Sequence, residues 1–152
     1  MAANAPRATR LHDTISVLLR SQQQRLTPTR RRIVDVLEQS DRPLTIPEIL
    51  VAEPTLAQSS AYRNLVVLEQ ARVVHRLVTH ADFARYELAE DLTGHHHHLV
   101  CSNCGRIDDL PATAAVEQSV AIAIEEASRR TGFRTEHHRL DLVGLCSDCA
   151  PL

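Results

Sequence analysis

Thr55-Leu-Ala-Gln-Ser-Ser-Ala-Tyr-Arg-Asn-Leu-Val-Val-Leu-Glu-Gln70, followed at once by Ala71-Arg-Val-Val-His-Arg-Leu-Val78, places a helical pattern directly before a strand-like one. Thr55-x-x-Gln58 has the form of a capping box, and apolar residues then recur at helical spacing to about Gln70, with Leu65, Val66 and Leu68 expected to face a core. Val73–Val78 and Arg85–Leu88 are β-rich and flank a polar turn, Thr79-His-Ala-Asp82, which reads as a hairpin. Upstream, Leu11, Ile15, Leu18 and Leu19 mark a helix to about Gln23. Thr27-Pro28 opens another, with Ile33, Val34 and Leu37 as its buried stripe. Ser40–Pro43 breaks it, and Thr45-Ile-Pro-Glu48 is a further capping box. Helices in this order followed by a hairpin describe a winged helix, in which the last helix enters the major groove of DNA. Residues 1–10 read as a disordered tail and 11–89 as the winged-helix domain.

The remainder differs in character. Residues 1–86 hold 12 arginines and 8 acidic residues, net +4, whereas residues 87–152 hold 5 arginines and 11 acidic residues, net −6. A basic front and an acidic, His- and Cys-bearing back suggest two modules with different partners. On the basic side, Arg25, Arg30, Arg31 and Arg32 suit phosphate contact, and Ser59, Ser60, Tyr62 and Arg63 crowd the first turns of the expected recognition helix. A solvated face is the alternative reading of those arginines. Residues 90–94 read as a polar hinge and 95–152 as an α+β module. In it, strands His95–Val100 and Arg106–Leu110 precede a helix Ala112–Thr131 carrying Val116, Val120, Ile124 and Ala127, stopped by Gly132, and a last strand spans His138–Leu145. About 60 residues make a small independent core, so metal or dimerisation should supplement it.

Cys101-x2-Cys104 and Cys146-x2-Cys149 lie 41 residues apart. Each pair spans two corners of a tetrahedral zinc, and four thiolates leave no open position, so the zinc is expected to be structural. The N-terminus has no apolar run behind its basic residues and no stretch approaches a membrane span, which favours a cytoplasmic protein with reduced thiols over disulfides. His95-His-His-His98 stands just before the first cysteine pair. If extended, it sends His95 and His97 to one face and His96 and His98 to the other, so one run can serve two metal sites completed from elsewhere. Candidates for completion are His75 and Glu87 on the hairpin and Glu117, His137 and His138 in the second module. Isolated histidines such as His75, His80 and His12 are more often satisfied surface or core residues than ligands.

Together, His95-His-His-His-Leu-Val-Cys-Ser-Asn-Cys-Gly105, Gly144-Leu-Cys-Ser-Asp-Cys149, Leu26-Thr-Pro-Thr-Arg30 and Ser60-Ala-Tyr-Arg-Asn-Leu65 resemble the ferric uptake regulator (Fur) superfamily over about residues 12–149. The resemblance implies a winged helix, a C-terminal dimerisation domain, and metal-dependent repression as a homodimer on AT-rich, palindromic operators of metal-homeostasis genes. By position it assigns Cys101, Cys104, Cys146 and Cys149 to structural zinc. His75, Glu87, His96 and His98 match a hinge-spanning regulatory site, and His95, His97, Glu117 and His138 a secondary site. Tyr62 and Arg63 match the recognition pair, and Arg25 the basic residue directed to the minor groove.

The sequence also departs from the iron-type pattern. Arg42-Pro43 stands in the loop where those members commonly carry a His, and His75 occupies the wing position where the zinc uptake regulator (Zur) branch often places a His or Asp. Zinc is therefore the favoured sensed ion, with Fe(2+) or Mn(2+) as alternatives. Zinc-type members usually add a sensory Cys near the hinge; here Glu87 would fill that role, with Glu90 or Asp109 as other choices. An iron-loaded peroxide sensor using Glu87 and Asp109 is the rival within the family. A hydrolytic zinc enzyme lacks a His-Glu-x-x-His helix and leaves the basic half unexplained; a metal carrier without DNA binding is the last alternative.

Overall fold

The computed structural model describes residues 5–78 and 84–150, which divide after Gly94 into two compact units. The expected wing turn, Thr79–Asp82, with His80 in it, lies outside the described residues.

The first unit opens with α1, Ala5–Ser21. Residues 5–10, expected as tail, are helical. Helix α2, Pro28–Gln39, is capped by the Thr27 hydroxyl, which accepts from the Arg30 N–H at 3.3 Å. After a two-residue strand β1, Leu44–Thr45, helix α3, Ile46–Ala52, starts in a complete capping box. The Thr45 hydroxyl accepts from Glu48 N and the Glu48 carboxylate from Thr45 N at 2.7 Å. β1 is too short to leave a periodic trace in sequence.

Helix α4, Gln58–Gln70, is N-capped by Ala57 without a side-chain bond, so the capping box expected at Thr55–Gln58 does not form. Thr55 has other partners: its hydroxyl donates to the Glu53 carboxylate and accepts from Arg32. Ala61, Leu65 and Leu68 are buried, while Val66, turned about 100° from Leu65, is exposed rather than in the core. Strands β2, Val74–Val78, and β3, Ala84–Leu88, pair antiparallel, and β1 joins the other edge of β3. Ile15, Leu19, Ile33, Val34, Ile49, Leu65, Leu68 and Val73 are fully buried together, an almost wholly aliphatic core. Helices α2, α3 and α4 on a β1-β3-β2 sheet are the winged-helix arrangement. Residues 90–93 of the expected hinge form a single helical turn, α5, Glu90–Thr93, ended by Gly94 at φ +105°.

The second unit has β4, His96–Cys101, at the centre of a sheet ordered β5-β4-β6. β5, Ile107–Pro111, pairs with it antiparallel and β6, Asp141–Gly144, parallel. The last strand is thus shorter than the expected His138–Leu145. Helix α6, Ala114–Thr131, lies between β5 and β6 in sequence, capped by Thr113 and stopped at Gly132, whose φ of +72° is left-handed. None of its residues is buried within the chain: Val116, Val120 and Ile124 are half-covered and Ala127 is exposed. Among the described residues of this unit, Cys101 and Ile107 are the buried hydrophobic ones, with His97 and His98 buried beside them. Ligand-type side chains occupy positions where a larger domain would place a hydrophobic core.

Candidate metal centres

The four cysteines converge at the ends of β4 and β6. Gly105, at φ +70°, lets the chain after Cys101 fold back so that Gly105 N donates to the Cys101 carbonyl at 3.0 Å. The second pair turns alike, with Cys149 N and Ala150 N donating to the Cys146 carbonyl at 3.0 and 2.8 Å. All four sulfurs lie within 4.8 Å of one another, and Cys104 Sγ to Cys146 Sγ is 3.8 Å. Two thiolates at ~2.3 Å from a tetrahedral zinc stand ~3.8 Å apart, whereas a disulfide needs ~2.0 Å. The backbone N–H groups of Cys104 and Cys146 hold the Cys101 thiol down to about 6. Cys149 is pushed up to about 11: the Asn103 amide draws it down, but the sulfurs of Cys146 and Cys104 outweigh it. Such crowding opposes a second thiolate until a cation is present, so the donor set fits zinc. Asn103, which donates to Cys149 Sγ at 3.3 Å, carries no spacing signal in the sequence.

β4 and the residue before it divide four histidines between two groups. On one side His95, His97, Glu117 and His138 each offer a ligand atom within 4.8 Å of the others. His97 Nε2 is 2.7 Å from Glu117 Oε1, and His95 Nε2 and His138 Nε2 lie 3.3–3.5 Å from Glu117 Oε2. Desolvation would raise the Glu117 pKa, but the His97 hydrogen bond and the charges of His138, His95 and His97 outweigh it and lower it. His95 Nε2 and His138 Nε2 are only 3.0 Å apart, which sets lone pair against lone pair unless a proton or cation is shared. His97 is 1% exposed, and its Nδ1 is buried with no hydrogen-bond partner. Three imidazoles around one carboxylate fit a borderline divalent ion such as zinc. His137, next to His138, is exposed and belongs to no such group among the described residues.

On the other side of β4, His96 and His98 stack edge-on at 4.9 Å. Within the second unit, Asp109 also offers an oxygen within 4.8 Å of both, and its contact with His96 Nε2 is 4.0 Å. His98 Nδ1 is 3.4 Å from Asp141 Oδ1, a carboxylate that sequence reading missed because parallel pairing across 43 residues leaves no local signal. In the first unit, His75 and Glu87 are cross-strand partners on β2 and β3, His75 Nδ1 to Glu87 Oε1 being 3.4 Å. Glu87 is buried, while Glu90 is exposed at the start of α5.

In the same unit Ser59, Tyr62 and Arg63 are exposed on α4 and Ser60 is half-buried. Arg25 is exposed, but Arg30 is half-buried, with its Nε donating to Asn64. Arg31 donates to His12 Nδ1 and Arg32 to Thr55, so two further arginines read as phosphate contacts have internal partners.

Residues 21–143 match the model of the ferric uptake regulator family. The chain belongs to the ferric uptake regulator family. Among its relatives is the peroxide operon regulator of Bacillus subtilis, 32% identical over 132 residues, which cover 83% of this chain and 84% of that one. The ferric uptake regulation protein of the same organism is 32% identical over 144 residues, covering 90% and 93%. A zinc-bound manganese uptake regulator superposes with a TM-score of 0.62 at 26% identity, over 88% of this chain and 98% of that one. The ferric uptake regulator of Helicobacter pylori superposes at 0.74 with 23% identity over 93% of each chain, which speaks to the fold. As a member of this family the chain is a metal-responsive, DNA-binding transcriptional regulator and not an enzyme. The described helices include none long and apolar enough to cross a membrane.

Proposed function

We propose that this regulator is a zinc-dependent repressor of metal-homeostasis genes. Cys101, Cys104, Cys146 and Cys149 hold structural zinc, and His75, Glu87, His96 and His98 hold the sensed ion. The observation that carries the zinc preference is the loop before α3. Arg42 there bonds Glu48 at 2.8 Å, so the position offers no imidazole. His75 instead stands against Glu87 on the wing. In this reading His75 and Glu87 act from the first unit, and His96 and His98 from the second. Fixing the two units relative to each other raises affinity for an AT-rich, palindromic operator bound by a homodimer. A coupling of ~1–3 kcal/mol corresponds to roughly 5–150-fold in affinity. His95, His97, Glu117 and His138 form a secondary site that ties α6 to β4. Tyr62 and Arg63 read base edges, Arg25 enters the minor groove, and Ser59 and Ser60 contact the backbone.

A second reading has its own support. Asp109 stands with His96 and His98, and carboxylate oxygens favour harder ions such as Fe(2+) or Mn(2+). A relative 32% identical is a peroxide operon regulator. Titration of chelated protein with Zn(2+), Fe(2+) and Mn(2+) separately, reading binding to a duplex selected from a random library, distinguishes the two. Zinc alone should restore binding at sub-nanomolar free ion, and His75→Ala should abolish the response. An equal response to Fe(2+), with oxygen added to His96 or His98 after peroxide, would overturn the zinc reading.

A further inference from the structure

We propose that Arg30 positions the DNA-reading helix and does not itself contact phosphate. The inference rests on α4 being the reading helix. Arg30 Nε donates to Asn64 Oδ1 at 3.0 Å, one terminal nitrogen to the Arg25 carbonyl at 2.6 Å, and the other to Gln24 Oε1 at 2.9 Å. One guanidinium therefore joins the turn before α2, where Gln23 is held at φ +56°, to the middle of α4.

The chain of contacts continues into the reading face. Asn64 Nδ2 donates to the Ser60 carbonyl at 2.8 Å and to Ser60 Oγ at 3.3 Å. Because Arg30 has only donors, it fixes which end of the Asn64 amide faces it, leaving the NH2 for Ser60. Ser60 and Asn64, one turn apart, bracket Tyr62 and Arg63 on α4. At its other end Arg30 grips the carbonyl of Arg25, whose side chain is exposed. A single residue thus sets the separation between both groups of candidate DNA contacts. Three of the five Arg30 N–H groups are held by these acceptors, two of them half-buried, so swinging Arg30 outward onto a phosphate would break those bonds, whereas Arg63 is already exposed on α4.

A lysine keeps the charge but lacks the planar fork that reaches three acceptors in three directions. The test measures the full-length, metal-loaded protein on two duplexes: one selected in vitro from a random library by the wild-type chain, and a scrambled duplex of equal composition. Arg30→Lys should weaken the selected duplex about 10-fold or more while the scrambled one stays within about 2-fold. Its salt slope on the scrambled duplex should not change. Asn64→Ala should reproduce that loss, and the double variant should lose little more than either single one. Partial unfolding would instead weaken both duplexes alike. If Arg30→Lys binds as the wild type does, and Arg30→Gln lowers the salt slope on both duplexes by about 0.9 per contact, Arg30 is a phosphate contact and the proposal fails. It fails equally if Arg30 and Asn64 act additively; should the Arg30 variants fold poorly, Asn64→Ala decides alone, and wild-type binding of the selected duplex by that variant overturns the proposal. Loss of selective binding in Tyr62→Ala with none in Arg30→Lys would sink this inference and leave the reading of α4 intact. A wild-type chain that selects no duplex would sink both.

Discussion

Replacing Cys104 with serine should unfold the second unit and leave the first standing. Cys104 is exposed, so the substitution removes one sulfur donor and almost no packing. What the unit has in reserve is small. Its buried hydrophobic residues among those described are Cys101 and Ile107, and a buried isoleucine contributes about 1.5–3 kcal/mol. A structural zinc site carries an apparent ~10–16 kcal/mol near neutral pH. The ion therefore outweighs the side-chain core several-fold, and a weakened site cannot be replaced by packing. Removal of the metal should release the 18-residue α6 while α1, α2, α3 and α4 keep the core of the first unit. Far-UV ellipticity should then fall by about a quarter, the share of helical residues in α6, with a cooperative melt remaining. Circular dichroism of Cys104→Ser, alongside zinc release from the wild type to a coloured chelator under reducing conditions, measures this. If α6 survives once zinc has been removed in full and the thiols are reduced, the argument from the missing core is wrong.

Three further outcomes follow from particular contacts. Glu117→Gln should cost the protein one bound metal equivalent per protomer without loss of the cysteine-held zinc, read by metal analysis after dialysis, because His95, His97 and His138 share that one carboxylate. Leu65→Ala, at a fully buried position of α4, should lower stability of the first unit by about 2–5 kcal/mol in denaturant melts. Glu48 should make that unit acid-sensitive. Burial would raise its carboxyl, but hydrogen bonds from Arg42 and Thr45 hold it down to about 2 from an ordinary 4.5. A depressed carboxyl contributes stability above the ordinary value and loses it as pH falls toward the folded one. Melts of the wild type should weaken between about pH 4.5 and 2 by ~1–2 kcal/mol, discounted for solvent exposure, more than melts of Glu48→Gln.

Much of the architecture is legible in the sequence because it rests on local chemistry. Thr27-Pro28 and Thr45-Ile-Pro-Glu48 mark helix starts through hydrogen bonds that span three residues, and Gly132 marks a helix end through one backbone angle. The same rule misleads at Thr55, whose hydroxyl finds Glu53 and Arg32 instead of the α4 backbone. The cysteine spacings announce their site because a zinc shell is built from short loops. The rest depends on contacts distant in sequence. Asp109 faces His98 only through the β4–β5 register, and Asp141 approaches it only through parallel pairing with β6. Arg30 resembles its basic neighbours in sequence; it is set apart by Asn64, 34 residues on.

Those distant contacts also bear on why the cysteine cluster and the histidine groups share a strand. Side chains of β4 alternate, so a slip of one residue against β5 or β6 would exchange His96 and His98 with His95 and His97. Hydrogen-bonded pairing alone resists such a slip weakly in a unit with so little core. At the end of β4, however, Cys101 is buried among the other three cysteines, and its N–H donates to the Arg106 carbonyl at 2.8 Å. Cys101 follows His98 by three residues, about 10 Å of strand. A cysteine knot closed on zinc would therefore fix the strand at one end and, through a backbone too stiff to absorb a one-residue shift, fix which histidines face Asp109 and which face Glu117. The division of the histidines between two groups thus depends on the cysteines, which belong to neither group.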